Sequence, residues 1–313
     1  MNLHGLRFFI VLSLFGISIT SCRKDPQVNL DSSSNPSVVL IVWDGIRLED
    51  MINSDGSLRE DIVPFMKQLS VKSNSFYTAR FHHQGYTYTM AGHLALLTGQ
   101  HFPVKNDMSG TAPVPTILHR ILHDNQVVPE KTWIVATKSK ICSLNNCEDS
   151  ICQQIPVPSG MCGLYGVWGP IDSRTFQASV DVIKKHKPMF LLVSFSAPDI
   201  IAHTGDYEGY IKAIKQADHY TSQLYSFVSS LYEDSVMFVI TTDHGRHDYD
   251  YTGHGDKCPG CTSLFLLINF PFQNNVEKLF DTYSKNTIVH RDLYCLTINF
   301  LSINTHHGFC DIN

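Results

Sequence analysis

Ser37-Val-Val-Leu-Ile-Val-Trp43, followed at once by Asp44-Gly45, is the stretch that decides the fold. An unbroken apolar, β-branched run suits a strand buried on both faces, as in parallel sheets, and the Asp-Gly pair stops it. Runs of the same character recur at 132–137 (TWIVAT), 189–195 (MFLLVSF), 235–241 (SVMFVIT) and 263–268 (SLFLLI). Between them lie helical patterns, clearest where Ile214, Ala217, Thr221, Leu224, Val228 and Leu231 share one face of a helix. Strands alternating with helices predict an α/β chain, with a mostly parallel central sheet and helices on both faces. Ligands in such folds gather beyond the carboxyl ends of the strands. Residues 138–170 break the rhythm, being rich in Cys, Gly and Pro, and read as a disulfide-tied surface excursion.

Outward from this core, 313 residues suffice for one large domain, and 43% hydrophobic against 17% charged residues excludes a disordered or coiled-coil chain. A net charge of −5 gives no global attraction to nucleic acid, so no nucleic-acid-binding surface is expected. At the N-terminus, Arg7 precedes an apolar run from Phe8 to Ile19 that is too short for a bilayer span and reads as the core of a signal peptide over 1–21. Ile19-Thr20-Ser21-Cys22 resembles a bacterial lipobox, which makes Cys22 the expected lipidation site; an ordinary secretory signal is the alternative. Residues 22–36, rich in Ser, Asn, Asp and Pro, read as a tether to a catalytic domain over 37–313. The expected address is therefore outside the cytoplasm, lipid-anchored to a bacterial membrane on its periplasmic or cell-surface side.

Nine cysteines less Cys22 leave eight, and in an oxidising compartment disulfides are the default for them. Their pairing cannot be chosen from sequence. The rival reading for the C-x-x-C at Cys258 and Cys261 is a structural zinc completed by two more thiolates.

Four short segments carry the chemistry. Asp44 ends the first strand; Asp199 and His203 sit in SAPDIIAH after the run at 189–195; Asp243 and His244 follow the run at 235–241; His254 lies ten residues further on. Each alone is a turn or cap residue as readily as a ligand. Converging on one sheet edge, carboxylates and imidazoles form the ligand set of divalent metals. In TYTMAGHLALLTG, Thr89 opens a helix expected over 90–97, where free N–H groups favour an anionic oxygen. An N-cap role suits the same threonine, and Thr87 is a second candidate nucleophile.

These motifs, in this order, resemble the alkaline phosphatase superfamily of two-metal hydrolases, which includes nucleotide pyrophosphatase/phosphodiesterases and cofactor-independent phosphoglycerate mutases. The stretch PDIIAHTGDYEGYIKAIKQADHY is similar to the mutase branch. The resemblance implies an alkaline phosphatase-like fold and two divalent ions, zinc by ligand type, with manganese also fitting. Asp44, Thr89, Asp243 and His244 would surround one ion, and Asp199, His203 and His254 the other, with His247 the substitute for His254. It further implies hydrolysis of a small phosphoester through a phosphothreonine on Thr89, with His93 packing behind the helix and Asp218 structural. Where phosphodiesterase members show Thr-x-Pro-Asn-His, this chain has Thr89-Met90-Ala91-Gly92-His93, which argues against a diester preference. Arg47 and Arg246 follow ligand motifs closely, as phosphate contacts or as surface salt bridges. A phosphoryl or phosphoethanolamine transferase using the same site and a non-catalytic surface lipoprotein are the alternatives to a phosphohydrolase.

Overall fold

The computed structural model describes residues 36–167, 169–232, 235–271, 287–303 and residue 310. The expected signal peptide, Cys22 and all but the last residue of the expected tether lie outside the described residues.

The strands are β1 (Ser37–Trp43), β2 (Ser75–His82), β3 (Thr132–Ala136), β4 (Ser159–Cys162), β5 (Phe190–Phe195), β6 (Val236–Thr241), β7 (Ser263–Asn269) and β8 (Ile288–Val289). They form one sheet in the order β4-β3-β5-β1-β6-β7-β2-β8. β1 lies between β5 and β6 and is parallel to both, with all seven of its residues buried, as the unbroken apolar run predicts. β7 runs antiparallel to β6 and β2. All five expected strands are present, within one residue at their ends.

The helices are α1 (Pro64–Ser70), α2 (Thr89–Thr98), α3 (Ile117–Asp124), α4 (Ser173–His186), α5 (Ala197–Ala202), α6 (Tyr207–Tyr232), α7 (Pro259–Thr262) and α8 (His290–Phe300). Alternate residues of β1 enter opposite layers, because side chains of a strand point to opposite faces. Val38, Leu40 and Val42 pack with Met90, Leu94 and Ile298 from α2 and α8. Val39, Ile41 and Trp43 pack with Met66, Val182 and Ile214 from α1, α4 and α6. The Asp218 carboxylate accepts the N–H groups of Phe65 (2.9 Å) and Met66 (3.0 Å), tying α6 to the start of α1, which is a structural role.

Two expectations need correction. Residues 138–170 are not merely a surface excursion, since β4 extends the sheet beside β3, and Ile141 and Leu144 are fully buried in the core. A four-residue strand containing glycine has too little length to show a period. Disulfides Cys142–Cys162 and Cys147–Cys152 staple this segment, and Cys295–Cys310 makes a third bridge. Cys258 and Cys261 are free thiols, so eight bridged cysteines is one pair too many.

Candidate active site

The parallel strands deliver their C-terminal ends to one place. Asp44 directly follows β1, Asp243 and His244 lie just past β6, and α5 after β5 carries Asp199, with His203 at its C-cap. Thr89 is the first residue of α2, with Tyr88 in extended conformation at the cap position, so Thr89 sits one residue inside the expected cap. Asp44, Asp199, Thr89, Asp243 and His244 are all buried, whereas the His203 side chain is 46% exposed and marks the open side.

Local hydrogen bonds aim the donors. The N–H groups of Gly45 and His244 both donate to Asp243 Oδ1 (3.0 Å each), leaving Oδ2 turned into the site. His244 Nδ1 lies 2.9 Å from the Gly245 carbonyl and His254 Nδ1 2.9 Å from the Thr87 carbonyl. A carbonyl only accepts, so each Nδ1 carries the proton and each Nε2 presents its lone pair, the tautomer a metal-ligating histidine needs. His254 Nε2 then lies 3.2 Å from His203 Nε2 and 3.6 Å from Asp199 Oδ1. His244 Nε2 is 3.6 Å from Asp44 Oδ1 and 3.5 Å from Asp243 Oδ2. Ligands about 2.0–2.2 Å from a tetrahedral ion stand roughly 3.3–3.6 Å apart. Asp44 Oδ1, Asp243 Oδ2 and His244 Nε2 are moreover buried without a hydrogen-bond partner, which is costly unless a cation satisfies them. This donor set therefore fits a divalent ion, and Asp199, His244 and His254 form a second group of suitable spacing.

The charges show the same tension. Burial, then the neighbouring Asp243 carboxylate, raises the Asp44 pKa above its ordinary value. Burial opposes ionisation of Asp199 too, but Lys138 beside it holds that carboxyl well below the usual range. Burial likewise opposes ionisation of Asp243, and His244 and His93 outweigh it to bring its pKa down.

Lys138 is the functional candidate that sequence reasoning missed. Its Nζ stands 2.7 Å from Asp44 Oδ2, 2.6 Å from Asp199 Oδ2 and 3.3 Å from Thr89 Oγ1, bridging both halves of the site and the candidate nucleophile. It lies two residues past β3, so the strand-end rule that selects Asp44 would have found it. Behind it, Thr137 donates to Asp172 Oδ1 (2.5 Å), and Asp172 accepts the N–H groups of Ser196 (2.9 Å) and Ala197 (3.0 Å), fixing the start of α5 and hence Asp199.

The other singled-out residues separate cleanly. His93 is fully buried, bonded to the Thr89 carbonyl (2.8 Å) and Ser194 (3.0 Å), behind the site as expected. Thr87 donates its hydroxyl to the Asp256 carbonyl (2.6 Å), a structural bond, whereas Thr89 Oγ1 faces Lys138 Nζ (3.3 Å). His247 faces Cys258 and Cys261 rather than the acidic cluster, so His254 takes the place beside Asp199. Arg246 is neither a phosphate contact nor a surface residue: it is fully buried, paired with Asp199 and bonded to the carbonyls of Tyr251 and Thr252. Arg47 forms salt bridges with Glu49 and Asp50 (2.8 Å each).

Gly92 explains the departure from Thr-x-Pro-Asn-His. A Cβ there would stand 2.3 Å from the Asp243 carbonyl oxygen, so α2 packs directly on the strand end that carries Asp243 and leaves no room for an asparagine.

Comparison with known proteins agrees with this architecture. A profile of the metalloenzyme superfamily matches residues 37–256. A 2,3-bisphosphoglycerate-independent phosphoglycerate mutase of Antithamnion sp. is 28% identical over 131 residues, 40% of this chain and 23% of that protein. The match thus spans less than a quarter of that relative. A crystal structure of a protein in the alkaline phosphatase superfamily from Vibrio parahaemolyticus aligns with a TM-score of 0.60 at 14% identity, covering 89% of this chain and 69% of that one. The C-terminal periplasmic domain of EcEptC from Escherichia coli aligns with a TM-score of 0.61 at 14% identity, covering 91% and 86%. At such identities these alignments establish a shared alkaline phosphatase-like fold.

Proposed function

Because the chain belongs to the metalloenzyme superfamily, we propose that it is an exported, lipid-anchored two-metal phosphohydrolase that cleaves small phosphate esters through a phosphothreonine on Thr89. The observation that carries this reading is the convergence of unpartnered, buried Asp44, Asp243 and His244 atoms on the start of α2, where Thr89 stands. Asp44, Thr89, Asp243 and His244 would hold one ion and Asp199, His203 and His254 the other, with zinc favoured by the imidazole content. Bound there, the two ions supply Lewis acidity to the phosphoryl oxygens and favour ionisation of a nearby hydroxyl.

The chain's own groups do the rest. Thr89, at the first turn of α2, presents Oγ1 where helix N–H groups and the Lys138 ammonium favour negative charge. Its Oγ1–P bond forms as the bond to the leaving alkoxide breaks, and the proton released by the hydroxyl balances the one the departing alcohol takes up. Water then attacks the phosphothreonine, releasing phosphate and restoring Thr89. Lys138 stays in reach of the transferred group throughout, and the exposed side at His203 admits the substrate. Cys22 would fix the enzyme to the membrane by its lipid.

The test is metal content together with turnover of nitrophenyl phosphate by wild type and Thr89→Ala. The expected result is at least two divalent ions per chain and loss of turnover in the variant with its metals retained. Less than one ion per chain, or full activity in Thr89→Ala, refutes the mechanism. Release of the full chain from membranes in Cys22→Ala checks the anchor; unchanged retention argues for another attachment.

A further inference from the structure

Past the catalytic cluster, the loop that carries His254 contains a group of donors with no part in the reaction. His247, Asp256, Cys258 and Cys261 place one ligand atom each within 4.8 Å of all the others. His247 Nδ1 is 3.3 Å from Cys261 Sγ, 3.6 Å from Cys258 Sγ and 3.2 Å from Asp256 Oδ2. Zinc bonds of about 2.3 Å to sulfur and about 2.0–2.1 Å to nitrogen or oxygen put tetrahedral N···S pairs roughly 3.5 Å apart and N···O pairs roughly 3.3 Å apart. The three observed distances match those separations.

From this geometry we infer that His247, Asp256, Cys258 and Cys261 form a separate structural zinc site, which clamps the 247–261 loop and so positions His254. Hydrogen bonding alone does not account for the cluster. Two thiols and a carboxylate crowd a single ring nitrogen, which can donate one proton or accept one but cannot satisfy three partners. One divalent ion satisfies all four. The loop is already arranged for it: the Cys258 N–H donates to Asp256 Oδ1 (2.9 Å), turning Oδ2 to the cluster, and the His247 N–H donates to the Gly253 carbonyl (3.0 Å). His247 also stacks flat on Tyr249, with ring centroids 4.8 Å apart. Two sulfurs select a softer ion than the all-oxygen-and-nitrogen catalytic cluster requires. A rival group, the tilted and edge-on rings of His83, His101 and His290, lacks this fit: the Gly85 N–H donates to His83 Nδ1 (3.0 Å), which leaves the proton on Nε2, the nitrogen left for a metal. The sequence reading of a zinc completed by two more thiolates is thereby revised, with an imidazole and a carboxylate in their place.

The consequence for the active site is mechanical. Asp256 accepts the Thr87 hydroxyl through its carbonyl, and His254 bonds the Thr87 carbonyl, so the clamped loop holds both His254 and the approach to Thr89. The experiment uses the full chain purified without reductant. Elemental analysis should give one zinc per chain more than Cys258→Ser/Cys261→Ser binds, and mercurial titration of wild type should release that zinc as two thiols react. Cobalt-loaded wild type should show a thiolate-to-metal charge-transfer band in the near ultraviolet, retained in Asp44→Asn and absent from the double serine variant. Retention in Asp44→Asn separates this site from the catalytic one, so its outcome is independent of the hydrolase reading. A Cys258–Cys261 disulfide in the purified protein, or no zinc released by the mercurial, overturns the inference even if the serine variant fails to fold.

Discussion

Replacing Gly92 by Ala tests how tightly the nucleophile helix is set against the metal-ligand strand end. The new Cβ would meet the Asp243 carbonyl oxygen at 2.3 Å, its carbonyl carbon at 2.8 Å and its Cβ at 2.9 Å. Two of those contacts are backbone, which cannot rotate away, so regaining ordinary carbon–oxygen separation requires α2 and the 243 segment to part by about 1 Å. Alanine gains about 1 kcal/mol of helix propensity over glycine, while overpacking costs about 1–3 kcal/mol. Net stability therefore drops by no more than about 2 kcal/mol, and the variant folds. Catalysis suffers more, because Thr89 rides on the displaced helix and Asp243 on the displaced strand end. A misplacement of about 1 Å between reacting groups costs on the order of 100-fold in rate. The assay is kcat for nitrophenyl phosphate at saturating metal, with thermal unfolding as the control for folding. A Gly92→Ala enzyme within threefold of wild-type kcat would refute both the contact and the placement of Thr89.

Lys138→Met removes the counter-charge from two buried carboxylates; in chelator the variant should unfold with about 3 kcal/mol less free energy than wild type, and denaturant titrations should show most of the loss recovered with excess zinc. The same change should lower kcat about 100-fold, since it deletes a positive donor beside Thr89. Asp172→Ala should leave the sheet intact but weaken metal binding roughly 10-fold or more through loss of support for α5, as read by competitive chelator titration. Burial, then the neighbouring His101, pushes His83 down to about 3 from 6.5. The folded chain thus binds fewer protons there than the unfolded one between those values. Its stability is fully present above pH 6.5 and lost as pH falls toward 3, by about 2 kcal/mol from this group at pH 5. Unfolding curves of metal-free wild type and His83→Gln should diverge in that window.

The centre of the sheet was legible because β1, β3, β5, β6 and the antiparallel β7 are buried on both faces and so are written as unbroken apolar runs. β2 was not: it is interrupted by Thr78, Arg80 and a register shift between Thr78 and Phe81, which erases the simple alternation. β4 and β8 are too short to carry a period. In the site, Asp44, Asp243 and His244 announce themselves by following buried strands, and Asp199, His203 and His254 by the order of the motifs. Lys138 escaped because a lysine inside a cysteine-rich stretch looks like a solvated residue; Arg246 was singled out, but its buried pairing with Asp199 was not, because arginine is rarely fully buried. Asp172 acts through the Thr137 hydroxyl and the backbone N–H groups at the start of α5, relations between distant elements that no spacing in the sequence encodes.

For the proposed phosphohydrolase, the distribution of charge would explain how a chain with a mildly negative total attracts a phosphate ester. Arg246 and Lys138 both reach Asp199, so the charge of that carboxylate is met by protein cations. Asp44 shares Lys138 with it, and among the described residues Asp243 has no lysine or arginine ion pair, only the His93 ring 3.2 Å from Oδ2 and the neutral His244 ring 3.5 Å away. The excess negative charge is thus concentrated on the Asp44–Asp243 half, which is fully buried and cannot be relieved by water. A phosphate dianion approaching that half in the absence of cations meets like charge at low dielectric, where repulsion is strongest. With divalent ions in place the sign of the local field reverses. Under the proposed function, substrate affinity in this site would therefore follow from metal occupancy, with metal binding first and ester second.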